Sequence, residues 1–456
     1  MSGTILCLAA LLSCSITAIR GVLPGLCCLF FWGYLFGILK AHYIESNGLF
    51  IFDAATIGFY FGTLSNQEIR SLFPRFNRLL PWVYILIFWP VFVAVIPIQH
   101  YLVQVIGLRG NIFWLPMALV GFLIRDIEKQ KFISFIAILN VVAFCFAVAE
   151  FFIGVDYFVP ENEVTKIVHN SADLAGGAKR IPSIFANAHS YSLFMVSTIP
   201  WLLGEIIAIN LSKASSVVTR FILIIGLLCA AAGIFMSGPR QPVIALAIIG
   251  AMIFFSGRFN LTLLMTVTLA GTVISYFVSQ DERFQRFAEL QDTNLIFNRL
   301  QVSVNISFFE ILMDYPMGNG MGAGGTSLPG FAQALLSRQV IMENEYSRIM
   351  LEQGLPGLSL FLAFFFWYLL QKRSQRDPDF FLKNYIFYST ITTFITAVIG
   401  VGMMTTIPGT AFLWLGLGYS ISPAFGLYLK GSAFSGRNNL NGNFSIPAYQ
   451  RGLVRG

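Results

Sequence analysis

The chain has 456 residues, 56% of them hydrophobic and 11% charged, with 46 Phe against 22 acidic residues. At a mean hydropathy of +0.73 a pair of soluble domains is excluded, because polar groups could not cover their surface; lipid is the solvent for much of it. The net charge of +7 would suit a polyanion, but the cations are distributed as membrane topology requires, so nucleic acid is not the expected partner.

Runs of about 17–25 apolar residues can span a bilayer as helices. In chain order they fall at 4–19, 22–41, 49–64, 80–100, 111–125, 132–153, 191–211, 218–236, 241–257, 260–279, 351–370, 384–406 and 409–429. The spacing predicts an all-α, polytopic transmembrane helical protein of about 12–13 spans. Residues 1–429 read as a single integral-membrane domain, and 430–456, rich in Asn and Gly, as a disordered cytoplasmic tail. The N-terminal LLSC resembles a lipoprotein cleavage site but lacks a basic n-region, so a retained first helix is expected.

Alternate connections carry the cations: Arg70, Arg75 and Arg78; Arg125, Lys129 and Lys131; Lys213 and Arg220; Arg258; Lys372, Arg373, Arg376 and Lys383; and the tail. The intervening short loops hold only Lys40, Arg109 and Arg240. By the positive-inside rule the first set and the C-terminus are cytoplasmic. The six cysteines fall in apolar runs, with no CxxC pair or nearby histidine, and are expected as buried thiols.

Two long connections, about 154–190 and 280–350, then lie outside, the second as a large extracytoplasmic loop. Apolar periodicity in LQVSVNISFFEILM (301–314) predicts an amphipathic helix on the membrane surface. Arg240 opens a span directly after Gly238-Pro239 on this disfavoured side. Its two readings are a snorkelling anchor and a clamp that grips phosphate bidentately. Arg299 reads as a solvated loop residue or a second such clamp. The run PMGNGMGAGG, with Gly320 and Gly322, is a bare turn or a close backbone approach to an anion. No strand–turn–helix unit surrounds it, so a nucleotide fingerprint is not the expected reading. In MENEYSRIMLEQGLPG (342–357), a helix from Asn344 pairs Arg348 with Glu345 and Glu352 as a surface ladder. That leaves Glu343 without a partner at helical spacing, where a helix N-terminus stabilises its charge and partial burial would be needed to make it a base. Tyr191 and Tyr346 are belt residues or sugar-stacking platforms.

These stretches resemble, in order, the O-antigen ligase/polymerase family, the integral-membrane glycosyltransferases of bacterial surface polysaccharides. The resemblance rests on Arg180 through Asn187, with Ser183 where the family pattern has Gly. It rests also on Ser237-Gly238-Pro239-Arg240, and on Arg299 followed by Pro316-x-Gly318-x-Gly320-x-Gly322. The last parts are Glu343-Asn344-x-Tyr346 and Glu352-x-Gly354-x-x-Gly357. It implies a GT-C-like protein of the bacterial inner membrane with a periplasmic active site, polymerising an undecaprenyl-pyrophosphate-linked oligosaccharide. Arg240 and Arg299 would hold the pyrophosphate, Arg180 would assist, and Glu343 would serve as base. Tyr346, Gly320 and Gly322 would contact substrate. No metal or other cofactor is expected; membrane lipids and a chain-length regulator are the expected partners. Ligases keep a histidine where this chain has Glu343, which favours a polymerase; transfer of glycan to a lipid or protein acceptor is the alternative. A transporter is the competing class, disfavoured because Asp53 reads as the lone charge within a span and no repeat is evident.

Overall fold

A computed structural model describes residues 2–43, 47–67, 77–124, 126–162, 165–169, 179–212, 216–255, 297–298, 301, 308–325, 328, 330–336, 340, 342, 344–371, 373, 377, 379–400 and 404–423. Glu343, Arg299, the expected span 260–279, much of the 280–350 loop and the 430–456 tail lie outside them. Every regular element among the described residues is helical. The first are α1 (Ser2–Arg20), α2 (Val22–His42), α3 (Ile51–Ser65), α4 (Leu80–Val95), α5 (Tyr101–Ile112) and α6 (Met117–Gly121). Next come α7 (Asp126–Ile153), α8 (Val155–Phe158), α9 (Lys166–His169), α10 (Ala188–Ser212), α11 (Val217–Ser237) and α12 (Arg240–Phe255). The last are α13 (Phe309–Asp314), α14 (Gly330–Gln333), α15 (Glu345–Leu369), α16 (Phe380–Thr396) and α17 (Gly409–Ser420).

Eight helices among the described residues are long and apolar enough to cross a membrane, and α4 and α12 are shorter apolar helices. The chain is thus a polytopic helical membrane protein. One span differs from the expected 111–125. The helix begins ten residues earlier, at Tyr101, and a turn at 113–116, ending in Pro116, separates α5 from α6. Hydropathy missed α5 because Gln104, Arg109 and Asn111 lower its average, yet each has a partner inside the protein. Of 301–314, the described helix is Phe309–Asp314.

Aromatic side chains fill the space between helices. Phe30, Phe132, Phe194, Trp201 and Phe412 interlock, with ring centroids 5.2–6.4 Å apart. Such pairs add about 0.5–1.5 kcal/mol each beyond area burial. Small residues let backbones close up. A side chain on Gly58 would stand 2.1 Å from the Leu11 carbonyl, and one on Gly418 1.8 Å from that of Ala118. In lipid, where helices gain little from hydrophobic burial, this close approach is a main source of attraction. The cysteines correct their expectation: Cys14 is buried, Cys145 is exposed, and the others are half-buried. An apolar run in a bilayer marks contact with lipid as readily as a protein core.

At one end of the bundle an ionic cluster ties α7 to the last helices. Lys129 pairs with Asp379, which also accepts from Tyr419 Oη at 3.0 Å. Lys383 donates to Asp377 at 2.7 Å and to the Ser422 carbonyl at 2.9 Å. Arg240, Glu345 and Tyr346 lie by the opposite end of α16, where Thr396 and Ala397 meet the starts of α12 and α15.

Candidate functional site

The loop that carries Arg180 is pinned from below. The Ser183 N–H donates to Glu150 Oε2 at 2.7 Å, and its hydroxyl donates to the Ala143 carbonyl at 2.7 Å. Ser183 has φ 54°, a left-handed conformation. Glycine takes that region without cost; here the hydroxyl bond offsets the strain of a β-carbon. Ser183→Ala keeps the strain and loses the bond, so it is expected to destabilise by about 1 kcal/mol. Ser183→Gly loses both and should stay within about 0.5 kcal/mol of the parent. Thermal unfolding of the purified variants in detergent checks the pair. Further out, Lys179 and His169 both meet the exposed Asp156 carboxylate. The hydrogen bond from Lys179 holds that carboxyl below the usual range.

Arg180 lies beside the turn between α11 and α12. A β-carbon on Gly238 would stand 3.9 Å from Arg180 Cγ. Gly238 has φ 87° and ends α11, so Pro239 redirects the chain and Arg240 becomes the first residue of α12. Gln241 follows and donates to the Thr396 carbonyl at 3.1 Å, at the end of α16. The next carbonyl, that of Ala397, accepts the Glu345 N–H at 3.0 Å. Tyr346 directs its hydroxyl to the Phe394 carbonyl at 2.7 Å and packs on Phe361. The C-terminal end of α16 thus joins the Gly238–Gln241 turn to the start of α15.

Asn344 caps α15, its side chain accepting from Ser347 N at 2.7 Å. The helix then breaks at Gly354, with φ 69° and ψ −175°, ahead of Pro356. A break frees backbone groups that lipid cannot satisfy. The glycine-rich turn takes them up. Asn319 N donates to the Leu351 carbonyl at 2.6 Å, and Leu355 N donates to the Pro316 carbonyl at 2.9 Å. Trp89 Nε1 of α4 takes the Gln353 carbonyl at 3.1 Å. The two glycine motifs are therefore halves of one backbone exchange. Gly320 and Gly322, both with positive φ, are buried against the α4–α5 connection; side chains there would meet Ile98 and the Val103 carbonyl.

The expected ladder of Glu345, Arg348 and Glu352 is present, but it is a buried network and not a surface feature. Arg348 donates to Glu345 Oε2 and Glu352 Oε2, each at 2.8 Å, and all three side chains are buried. Asn111 from α5 bridges them, accepting from Arg348 and Gln353 at 3.0 Å and donating to Glu352 at 2.7 Å. Met404 N donates to Glu345 Oε1 at 3.2 Å. The other Glu352 oxygen, Oε1, has no hydrogen-bond partner among the described residues and faces Gly324 of the glycine turn. A cavity of about 40 Å³ adjoins the network, lined by Asn111, Arg348, Gln353, Phe361 and Trp414 among others, with room for ordered water.

Other ionisable groups correct the reading of Asp53 as the lone charge within a span. Asp53 holds Arg109 through two 2.7 Å hydrogen bonds. Glu150 and Glu205 are also buried, as is Arg348. Nothing in local spacing links Asp53 to Arg109, or Asn111 to Arg348; only the helix contacts do. Among the described residues no three His, Cys, Asp or Glu side chains converge as a metal site would require.

No family model matches the chain, and no curated protein matches it.

Proposed function

We propose that this protein is a membrane glycosyltransferase that polymerises undecaprenyl-pyrophosphate-linked repeat units into a surface polysaccharide on the outer face of a bacterial inner membrane. The observation that carries the reading is the continuity of the motif segments. Arg180 adjoins Gly238, Gln241 meets Thr396, Glu345 meets Ala397, and Leu351 and Leu355 meet the Pro316–Asn319 turn. Residues scattered over about half the chain thereby form one connected region at one end of the bundle.

In the proposed reaction an acceptor hydroxyl attacks the anomeric carbon of the donor, and the sugar–oxygen bond to pyrophosphate breaks with its electron pair leaving on the phosphate. Arg240, Arg299 and Arg180 stabilise that growing charge, and fixed charges aimed at a developing anion supply much of the acceleration in such transfers. Glu343 takes the hydroxyl proton, and the configuration inverts. Removing the base is expected to cost about 10²–10⁴-fold in rate, and removing one arginine about 10²–10³-fold.

The test replaces Arg240 and Arg299 with Ala and Glu343 with Gln, singly, and resolves the host's surface glycan on a gel. Loss of long chains with single-repeat material retained is the expected result. Polymer of normal length that never reaches its final acceptor would point to the ligase alternative. Unchanged glycan in all three variants would rule out both. The buried ionisable groups bring the transporter back into comparison: Glu150 and the Glu345–Glu352 network lie toward helix ends, whereas Arg109, paired with Asp53, lies near the middle of the Tyr101–Gly121 span. Carriers hold such groups near the bilayer midplane.

A further inference from the structure

Around the connection between α4 and α5, IPIQH at 96–100, the amides turn inward and the aliphatic groups outward, with His100 the one polar side chain left exposed. Gln99 and Gln104 are buried, at 6% and 4% exposure, whereas Val95, Tyr101 and Val105 are 77%, 67% and 61% exposed. Both glutamines are tied inward: Gln99 donates to the Asn319 carbonyl at 2.9 Å and Gln104 to the Ile96 carbonyl at 2.6 Å. A loop in water would turn amides out and aliphatic groups in; this one does the reverse, as a surface facing hydrocarbon must. The stretch from Leu79 to Leu108 contains no Asp, Glu, Lys or Arg. The exposed apolar strip continues from the outward face of α4, where Phe88 and Phe92 are exposed, through Ile96 and Ile98 to Tyr101, broken by His100, which packs on the Tyr101 ring. Length agrees. The 16 residues of α4 rise about 24 Å, short of the roughly 30 Å hydrocarbon core.

We infer that the tip of the α4–α5 hairpin is submerged in the outer leaflet, its Val95, Tyr101 and Val105 side chains against lipid acyl chains. Gln99 then acts as a polar strut from within the bilayer to the glycine turn, whose Met317 is 69% exposed beside it. The glycine turn, which meets Gln99, Val103 and Gly107, then lies at the same depth as the tip; the submersion does not depend on the function proposed above.

The test uses the full chain in lipid nanodiscs. A p-acetylphenylalanine introduced at Tyr101 or at Val105 is coupled to a ketoxime nitroxide, which ignores the native thiols, and collision rates with oxygen and with a hydrated nickel chelate are measured. Phe88 provides the lipid reference and the exposed Asp156 the aqueous one. At both positions the oxygen-to-nickel ratio is expected to match Phe88 and to exceed Asp156 by at least about tenfold, since a polar chelate is excluded from hydrocarbon. A ratio like that of Asp156 would overturn the inference. So would protection from both reagents, which would mean that protein, such as a second copy of the chain, covers the tip. Neither outcome depends on glycan synthesis, so the depth of the tip and the transferase reading fail separately.

Discussion

Arg348→Met is expected to destabilise the protein by about 3–5 kcal/mol, the usual consequence of removing one partner from a buried ion network. The substitution leaves two buried carboxylates, Glu345 and Glu352, facing each other across the space of the lost guanidinium. Arg348→Lys is expected to recover only part of the loss. One ammonium cannot reproduce the fork that reaches Glu345 through Nε and Glu352 and Asn111 through Nη1. The informative variant combines Arg348→Met with Glu345→Gln and Glu352→Gln. With the charges gone together, most of the stability should return, since neutral replacements of whole buried networks are often tolerated. The measurement is retention of the monodisperse peak on size exclusion after graded heating in detergent. Equal stability of Arg348→Met and the parent would show that the network does not hold this end of the bundle.

Gly354→Ala is the second large effect. At φ 69° and ψ −175° the backbone occupies a region essentially reserved for glycine. A β-carbon there would also stand 2.4 Å from the Met317 carbonyl carbon and 2.8 Å from Gly318 N. Those neighbours are backbone atoms of the glycine turn and cannot rotate away. Relief requires the turn to lift off, losing the Asn319–Leu351 and Leu355–Pro316 hydrogen bonds in a setting without water to replace them. Backbone strain of about 1–3 kcal/mol and two unmet pairs at about 1–3 kcal/mol each give a loss comparable with that of Arg348→Met. Gly250→Ala is the control, because open space surrounds that position inside α12; it should leave the heating profile unchanged or shift it slightly upward. On the proposed function, Gly354→Ala also abolishes long-chain glycan at temperatures where the protein still folds, because the turn is displaced from the Leu351–Leu355 break in α15.

The start of α15 shows how far local reading reaches. A helix start at Asn344 and the three- and four-residue spacings around Arg348 were legible, because helix geometry alone brings those groups together; the capping role of Asn344 was not. The burial of the cluster was not, because it depends on Asn111 coming from a helix more than 200 residues away. The glycines of 316–325 could be read as a turn and Gly354 only as a small residue that lets its helix pack closely; that Gly354 breaks the helix, and that the two are sides of one exchange, could not. Ser183 was visible as a departure from the family pattern, while its left-handed φ and its hold on Glu150 and Ala143 were not.

By itself the sequence determined the membrane class, most of the helix positions and which short stretches stand apart. Hydropathy and helical spacing are local properties, and lipid imposes them on each segment separately. Tertiary structure decided the pairing of Asp53 with Arg109, the burial of Arg348, the inward turn of Gln99 and the meeting of the motif segments at the end of α16. Each of these depends on which helix faces which, and that is set by the close approach of small residues and by long-range hydrogen bonds that no local window contains.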